Sequence, residues 1–384
     1  MRIVAVLAAL VGTACTYEPL DADPPAPATF DQEDLALVAM EPTVSTEATR
    51  EPLAAAVVEP ASPQSWSFAV LSDLHLPNPR AAVIDREVAA LVGMGVRFVV
   101  ITGDDTNGSA LVDHRQGRVD AWWATITGAL APLRAAGIPV LPIAGNHDTY
   151  LAWQREGYER AFGDLEAWAA PLQVHPATGK GFARAPYSYS VDVDGVHLAL
   201  ANIVDQTVDR DVATWLTDDL ATPGATGARV RMVFGHVPLF TVIRHPPRSF
   251  VEQLGGILAR GNVEFYVAGH EHLSWDETFA IGAGAVAALR QVTVGCASGF
   301  YVFGPSKGAR ARAGCEPPDA RGTASCTMPN GGRFELVRDR SHRMIEHDSA
   351  TFTVFTVTGD GDDVQVTPMT VDADGQARAF YLLP

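Results

Sequence analysis

The chain has too few basic residues to grip a nucleic-acid backbone. Its 384 residues carry 28 Lys plus Arg against 45 Asp plus Glu, a formal net charge of −17, and no basic stripe of the kind that phosphate backbones demand. Cysteine is equally scarce. There are four, with no Cys-x-x-Cys pair to hold structural zinc. The N-terminal apolar stretch covers only residues 3–14, short of the roughly 20 needed for a membrane-spanning helix. No repeat of solenoid period is present, which excludes repeat architectures. What remains is an ordinary globular composition, 47% hydrophobic, long enough for one large domain or two modest ones. The acidic balance does not exclude phosphate substrates, because bound divalent cations reverse the local sign of charge.

The charge is unevenly spread. Residues 1–65 hold ten acids against Arg2 and Arg50. Met1-Arg2, the apolar stretch 3–14 and Cys15 read as an export signal. Ala14-Cys15 closes that stretch in the manner of a bacterial lipoprotein signal, although Gly12 stands where such signals usually have Leu. An ordinary cleaved signal is the alternative; the thiol directly behind small residues favours acylation of Cys15. Residues 16–64 are rich in Pro, Ala, Thr, Asp and Glu and cannot bury enough surface to fold, as in a self-repelling tether or a pro-segment. This predicts an exported protein, periplasmic or at the cell surface, touching the membrane only through a lipid on Cys15. Cys315 and Cys326 flank a Pro/Gly/Arg-rich loop and are disulfide candidates in an oxidising compartment. Cys296 lies in a small apolar stretch and reads as a buried thiol.

From residue 65 the pattern becomes that of a folded domain running to 384. Helical spacing covers 81–94, about 120–136, 151–168, 209–220 and 250–258. Residues 187–202 alternate around Asp194-Gly195, a hairpin signal. After about 285 the pattern is β, with runs at 292–294, 352–358 and 364–371. The stretch 304–349 is polar and rich in Gly and Arg, an excursion near the active edge rather than core.

Five apolar runs each end in residues able to bind a metal. Run 68–71 leads into Asp73-Leu74-His75, 98–101 into Gly103-Asp104, and 140–144 into Gly145-Asn146-His147-Asp148. Run 232–234 leads into Gly235-His236, and 265–268 into Gly269-His270-Glu271-His272. Buried strands separated by helices suggest a mostly parallel sheet, whose chemistry gathers at the strands' C-terminal edges. Taken singly, His236 reads as a structural histidine, Asp104-Asp105 as a turn or cap, and Gly145-Asn146 as a tight turn. Jointly they predict a dinuclear metal site and phosphate-ester hydrolysis.

These five blocks, in this order, resemble the calcineurin-like metallophosphoesterase superfamily over about residues 66–275. The resemblance implies an α/β fold, a four-layer α/β/β/α sandwich of two mixed central sheets flanked by helices. It implies that Asp73, His75 and His272 hold one metal, that Asn146, His236 and His270 hold the other, and that Asp104 bridges both. Two divalent ions (Mn, Zn or Fe) are the implied cofactors, about 3.5–4 Å apart. The implied mechanism is attack of a metal-bound hydroxide on a small phosphorylated substrate, with His147 as general acid or as stabiliser of charge on the phosphoryl oxygens, and Asp148 orienting its imidazole. Purple acid phosphatases within the superfamily carry a ferric-binding tyrosine three residues after the Gly-Asp aspartate. Asn107 occupies that position here, which disfavours a ferric site.

The blocks do not separate monoesters from diesters; small diesters are the favoured class, and no nucleic-acid partner is expected. An inactive surface or periplasmic binding lipoprotein that keeps the fold is the alternative, but no ligand of the set is missing. Arg244, His245 and Arg248 could meet substrate phosphate, although a solvated basic loop is the simpler reading. Tyr150 and Trp153 could wall the pocket, although packing a helix against the sheet is the simpler reading. His114, His175, His245, His342 and His347 lack a strand-edge context and read as surface residues.

Overall fold

The structure is a computed structural model that describes residues 65–77, 81–109, 116–241, 246–272, 274–281, 287–297, 323–327, 333–337, 350–359, 363–372 and 374–379. The export signal with Cys15, the tether, Cys315, the side chain of Cys326, Arg244, His245, His114, His342 and His347 lie outside the described residues.

The first half of the chain supplies β1 (Trp66–Leu71), α1 (Ala81–Met94), β2 (Val99–Thr102), α2 (Gln116–Ala135), β3 (Val140–Ile143), α3 (Asn146–Thr149), α4 (Ala152–Phe162) and α5 (Leu165–Ala169). Next come β4 (Val174–Thr178), β5 (Arg184–Val193), β6 (Val196–Leu200), α6 (Arg210–Asp219), α7 (Pro223–Gly227), β7 (Val230–Phe234), α8 (Arg248–Arg260) and β8 (Phe265–Ala268). The chain then turns to β: β9 (Trp275–Ile281), β10 (Ala287–Thr293), β11 (Thr323–Thr327), β12 (Arg333–Val337), β13 (Ala350–Thr358), β14 (Asp363–Val371) and β15 (Ala377–Ala379).

Local chemistry sets several boundaries. α1 buries Val83, Ile84, Val88 and Leu91, the apolar stripe at helical spacing. Gly95 ends it at φ +65°, its N–H donating to the Leu91 and Val92 carbonyls, a left-handed terminus that glycine adopts without strain. Asp194 and Gly195 both take positive φ between β5 and β6, as a two-residue hairpin turn requires. The single helix expected over 151–168 is two. Gly163 closes α4, and the Asp164 carboxylate caps α5 by accepting from Ala167 N.

Six strands form one sheet in the order β15-β14-β13-β1-β2-β3 and seven form another in the order β4-β5-β6-β7-β8-β10-β9. Both are mixed. β1, β2 and β3 run parallel while β13 is antiparallel to β1; β6, β7, β8 and β10 run parallel while β5 and β9 are antiparallel to their neighbours. The five motif strands are therefore divided, three in the first sheet and two in the second, rather than gathered in a single parallel sheet. Within the polar stretch 304–349, β11 and β12 pair with each other.

Strand alternation produces the layers. Phe68, Val70, Phe98, Val100, Leu141 and Ile143 from the first sheet meet Leu198, Leu200, Met232, Phe234 and Val267 from the second in a core between the sheets. The opposite faces pack outward. Leu71, Val99, Ile101 and Val140 meet α1 and α2 through Ile84, Leu91, Ile126 and Leu130, and Ala199, Val233 and Tyr266 meet α6 and α8 through Leu216, Leu254 and Leu258. The result is the four-layer α/β/β/α sandwich. Among the described residues, no helix is long and apolar enough to cross a membrane.

Candidate metal centre

The C-terminal ends of β1, β2 and β3 face those of β7 and β8, and hydrogen bonds close the seam. His236 Nδ1–H, beyond β7, donates to the Thr102 carbonyl at 2.8 Å, and His270 N–H, beyond β8, donates to Asp73 Oδ2 at 3.0 Å. The chain makes these turns at a conformational cost. Seven non-glycine residues among those described have positive φ, and five are Asp73, His75, Asp104, His270 and His272. Left-handed backbone at non-glycine residues persists only where surroundings enforce it, and it clusters at functional sites. Close approach explains two motif glycines. A Cβ on Gly145 would lie 2.1 Å from Asp104 N and 2.2 Å from its Oδ1; one on Gly269 would lie 1.8 Å from Ser72 Oγ.

All seven predicted ligands come together. His272 Nε2 is 3.2 Å from Asp73 Oδ1, and His75 Nε2 is 3.8 Å from the same oxygen and 3.9 Å from Asp104 Oδ2. His236 Nε2 is 3.2 Å from Asp104 Oδ2 and 2.9 Å from Asn146 Oδ1, while His270 Nδ1 lies 3.2 Å from His236 Nε2. Three sets emerge among the described residues: Asp73 with His75 and His272, Asp104 with His236 and His270, and, sharing a residue with each, His75 with Asp104 and His147. Asn146 joins the second.

Each carboxylate divides its labour. Asp73 Oδ2 accepts from Ser72 Oγ–H at 2.6 Å and from His270 N–H; Asp104 Oδ1 accepts from His147 N–H at 2.7 Å. The other oxygens, Asp73 Oδ1 and Asp104 Oδ2, are buried in the cleft with no hydrogen-bond partner among the described residues. Imidazole nitrogens also face one another: His75 Nε2 lies 3.1 Å from His272 Nε2. Unpartnered carboxylate oxygens in a buried space are costly unless a cation lies against them. The donor set of imidazole, carboxylate and amide oxygen suits borderline divalent ions.

The electrostatics favour ligating forms. Burial, then the imidazoles of His147 and His272, holds His75 down at about 3, and burial with His236 does the same to His270. Neutral imidazole is the form that binds metal. Burial works against ionised Asp73, but His272 outweighs it and holds that carboxylate at about 2. Asp104 is held well below the usual range, its burial outweighed by His236 and His147. His236 is the exception; burial alone would lower it, yet Asp104 pushes it up to about 9.

His147 reaches the same cleft, its Nε2 3.9 Å from Asp104 Oδ2 and without a hydrogen-bond partner among the described residues. The expected role of Asp148 needs correction. Its carboxylate accepts from the N–H groups of Gly145, Asp105 and Thr106 and from the Thr106 hydroxyl, so it ties the loop after β2 to α3. The Gly108 carbonyl, instead, accepts from His147 Nδ1–H. Four backbone and hydroxyl donors converging on one buried carboxylate leave Asp148 no geometry for reaching the ring. Thr106 completes this brace by donating to the His147 carbonyl at 3.2 Å.

The family model for calcineurin-like phosphoesterase matches residues 67–274, more than half of the chain and all five blocks. The chain belongs to this family. Among solved structures it is similar to a purple acid phosphatase from yellow lupin (Lupinus luteus), at 13% identity and TM-score 0.54, over 82% of this chain and 53% of that one. It thus spans about half the length of that phosphatase, and the likeness is one of fold. A dimetal phosphatase from Danio rerio is also similar, at 13% identity and TM-score 0.44, over 71% of this chain and 99% of that one. No curated protein matches. Within the calcineurin-like fold, Asn107 donates from Nδ2 to the Pro77 carbonyl at 3.1 Å, binding two loops together.

Other residues fall outside the cleft or were not foreseen. Arg248 is exposed and pairs with Glu252 at 2.8 Å; His175 is half-exposed beside Asp192 at 3.4 Å. Trp153 packs on the core beneath α2 and α4. Tyr150, read as packing, sits against Asn146 and His147; its spacing of four from Asn146 on one short helix was the signal available. Gly108 could have been found from the Asn107-Gly108 turn pair. His197 of β6 escaped altogether. It is 1% exposed, with Nδ1 2.7 Å from Asp192 Oδ1 and Nε2 2.9 Å from Asp219 Oδ2, while Ser190 Oγ–H donates to Asp219 Oδ1 at 2.6 Å.

Proposed function

We propose that this chain is a dinuclear metal-dependent hydrolase of small phosphate esters, with diesters the favoured class. The observation that carries this reading is the division of labour in Asp73 and Asp104. One oxygen of each is held by the protein and the other has no hydrogen-bond partner among the described residues, in a cleft of five histidines and Asn146. Family membership supports it. Asp73, His75 and His272 would hold one cation, and Asn146, His236 and His270 the other, with Asp104 shared. Bound there, two divalent cations supply charge that polarises a phosphoryl group and acidifies water.

The chain's own groups supply the rest. His147 is fixed by the Gly108 carbonyl at Nδ1, which leaves Nε2 as the atom that delivers a proton to the departing ester oxygen. Asp148 and Thr106 hold the two loops so that Nε2 stays in the cleft. Ser72 and the His270 N–H keep Asp73 from turning. Preorganisation of this kind spares reorganisation at the moment of reaction.

Hydrolysis of bis-p-nitrophenyl phosphate and p-nitrophenyl phosphate tests the reading. Turnover with added Mn2+ is expected, lost on chelation and restored on reloading, with the diester the better substrate. Absence of turnover on both, with Mn2+, Zn2+ or Fe2+, would leave only a binding role for the cleft.

A further inference from the structure

One side chain links the candidate second metal position to the candidate acid. The Tyr150 hydroxyl accepts from Asn146 Nδ2–H at 2.5 Å, while Asn146 Oδ1 lies 2.9 Å from His236 Nε2. The Tyr150 ring meets the His147 ring edge-on, centroids 5.4 Å apart. Arg155 Nη1–H, donating to the Thr149 carbonyl at 2.8 Å, pins the last turn of α3 from which Tyr150 emerges.

We propose that Tyr150 is a positioning residue for metal binding, whose hydroxyl holds the Asn146 amide with its oxygen toward the cations. This rests on the dinuclear reading above. A primary amide has a donor end and an acceptor end, and a cation accepts only the oxygen. With Oδ1 facing inward, Nδ2 must find an acceptor outward, and Asn146 is only 7% exposed. The phenol oxygen is that acceptor. Without it the N–H loses its protein partner, and an amide turned end for end would direct N–H groups at His236 Nε2 and repel the ion. Partners of this kind, one step out from the metal, set ligand orientation and typically govern affinity by 10–100-fold.

The effect belongs to one ion. Tyr150 touches Asn146, which falls with His236 and His270, whereas Asp73, His75 and His272 do not depend on the amide. The phenyl ring is a separate contribution; it buttresses His147, and a phenylalanine would retain it.

Calorimetric titration of Mn2+ into chelator-stripped protein tests this without recourse to turnover. Wild type is expected to take up two ions. Tyr150→Phe should weaken one step by about 10–100-fold and leave the other unchanged. Asn146→Ala should weaken the same step, and adding Tyr150→Phe to it should change nothing more, because the hydroxyl acts through the amide. Unchanged uptake in Tyr150→Phe would overturn the proposal, as would equal weakening of both steps or a full additive loss in the double variant. A wild type that binds no Mn2+ would remove the dinuclear reading itself, an outcome distinct from the other three.

Discussion

In the cleft, ring nitrogens of His75 and His272 face each other at 3.1 Å, and Asp73 and Asp104 each keep one oxygen without a hydrogen bond among the described residues. Around His197, each ring nitrogen meets its own carboxylate oxygen, at 2.7 and 2.9 Å, and the remaining Asp219 oxygen takes a serine hydroxyl. Both clusters combine buried imidazole with aspartate. One is electrostatically complete with protons alone; the other keeps carboxylate oxygens that suit a divalent cation. Burial by itself therefore does not mark a site. An inventory of what each polar atom touches does.

Substitutions can break the comparison at either end. The largest effect is expected for Asp104→Ala, which removes the carboxylate that both proposed ion positions would share. Turnover should fall by more than the ~100-fold typical of outer partners, and metal analysis should show loss of bound ion; full metal content would contradict the bridging position. His147→Ala should retain its metal while turnover falls by about 100–10,000-fold, and a variant as active as wild type would remove His147 from proton transfer.

The smallest effect on chemistry is expected at the complete cluster. His197→Leu should leave metal content and turnover intact but cost about 2–4 kcal/mol of stability, because Asp219 would keep a buried charge facing apolar atoms. This margin has a pH signature. Burial opposes the charged ring, yet hydrogen bonds and charge from Asp219 and Asp192 raise the His197 pKa above its ordinary value. The protonated imidazole therefore stabilises the fold fully below about pH 6.5, the unfolded value. That contribution should fade as pH rises through the higher folded value. Thermal unfolding of wild type and variant across pH should show the two converging toward alkaline pH; a constant gap would mean that the ring is held neutral.

Legibility varied with the range of the interactions involved. Helix α1 matches the spacing of its apolar residues because its stripe and its terminating Gly95 are local. The hairpin between β5 and β6 was readable for the same reason, from Asp194-Gly195. The break between α4 and α5 at Gly163-Asp164 was not, since the apolar period continues through it. At the site, the five blocks and the resemblance they carry were enough to name seven residues that the fold brings together, whereas the contact expected between Asp148 and the His147 ring is absent among the described residues. Carboxylates at metal sites often orient an imidazole, but a residue next along a helix points to a different side. His197 has no motif around it, and its partners on β5 and α6 are joined only by folding.

What the sequence by itself determined is the order of five short strands, each delivering metal-binding side chains at its end, and hence the family and the chemistry available. Tertiary structure alone decided how those side chains divide. Asp73 and His272 are 199 positions apart in the chain, and only the meeting of two separate sheets brings their atoms to 3.2 Å. Which oxygen is tied and which is left depends on the His270 N–H from the opposite sheet, on the His147 N–H beyond the neighbouring strand, and on left-handed turns that no residue type announces.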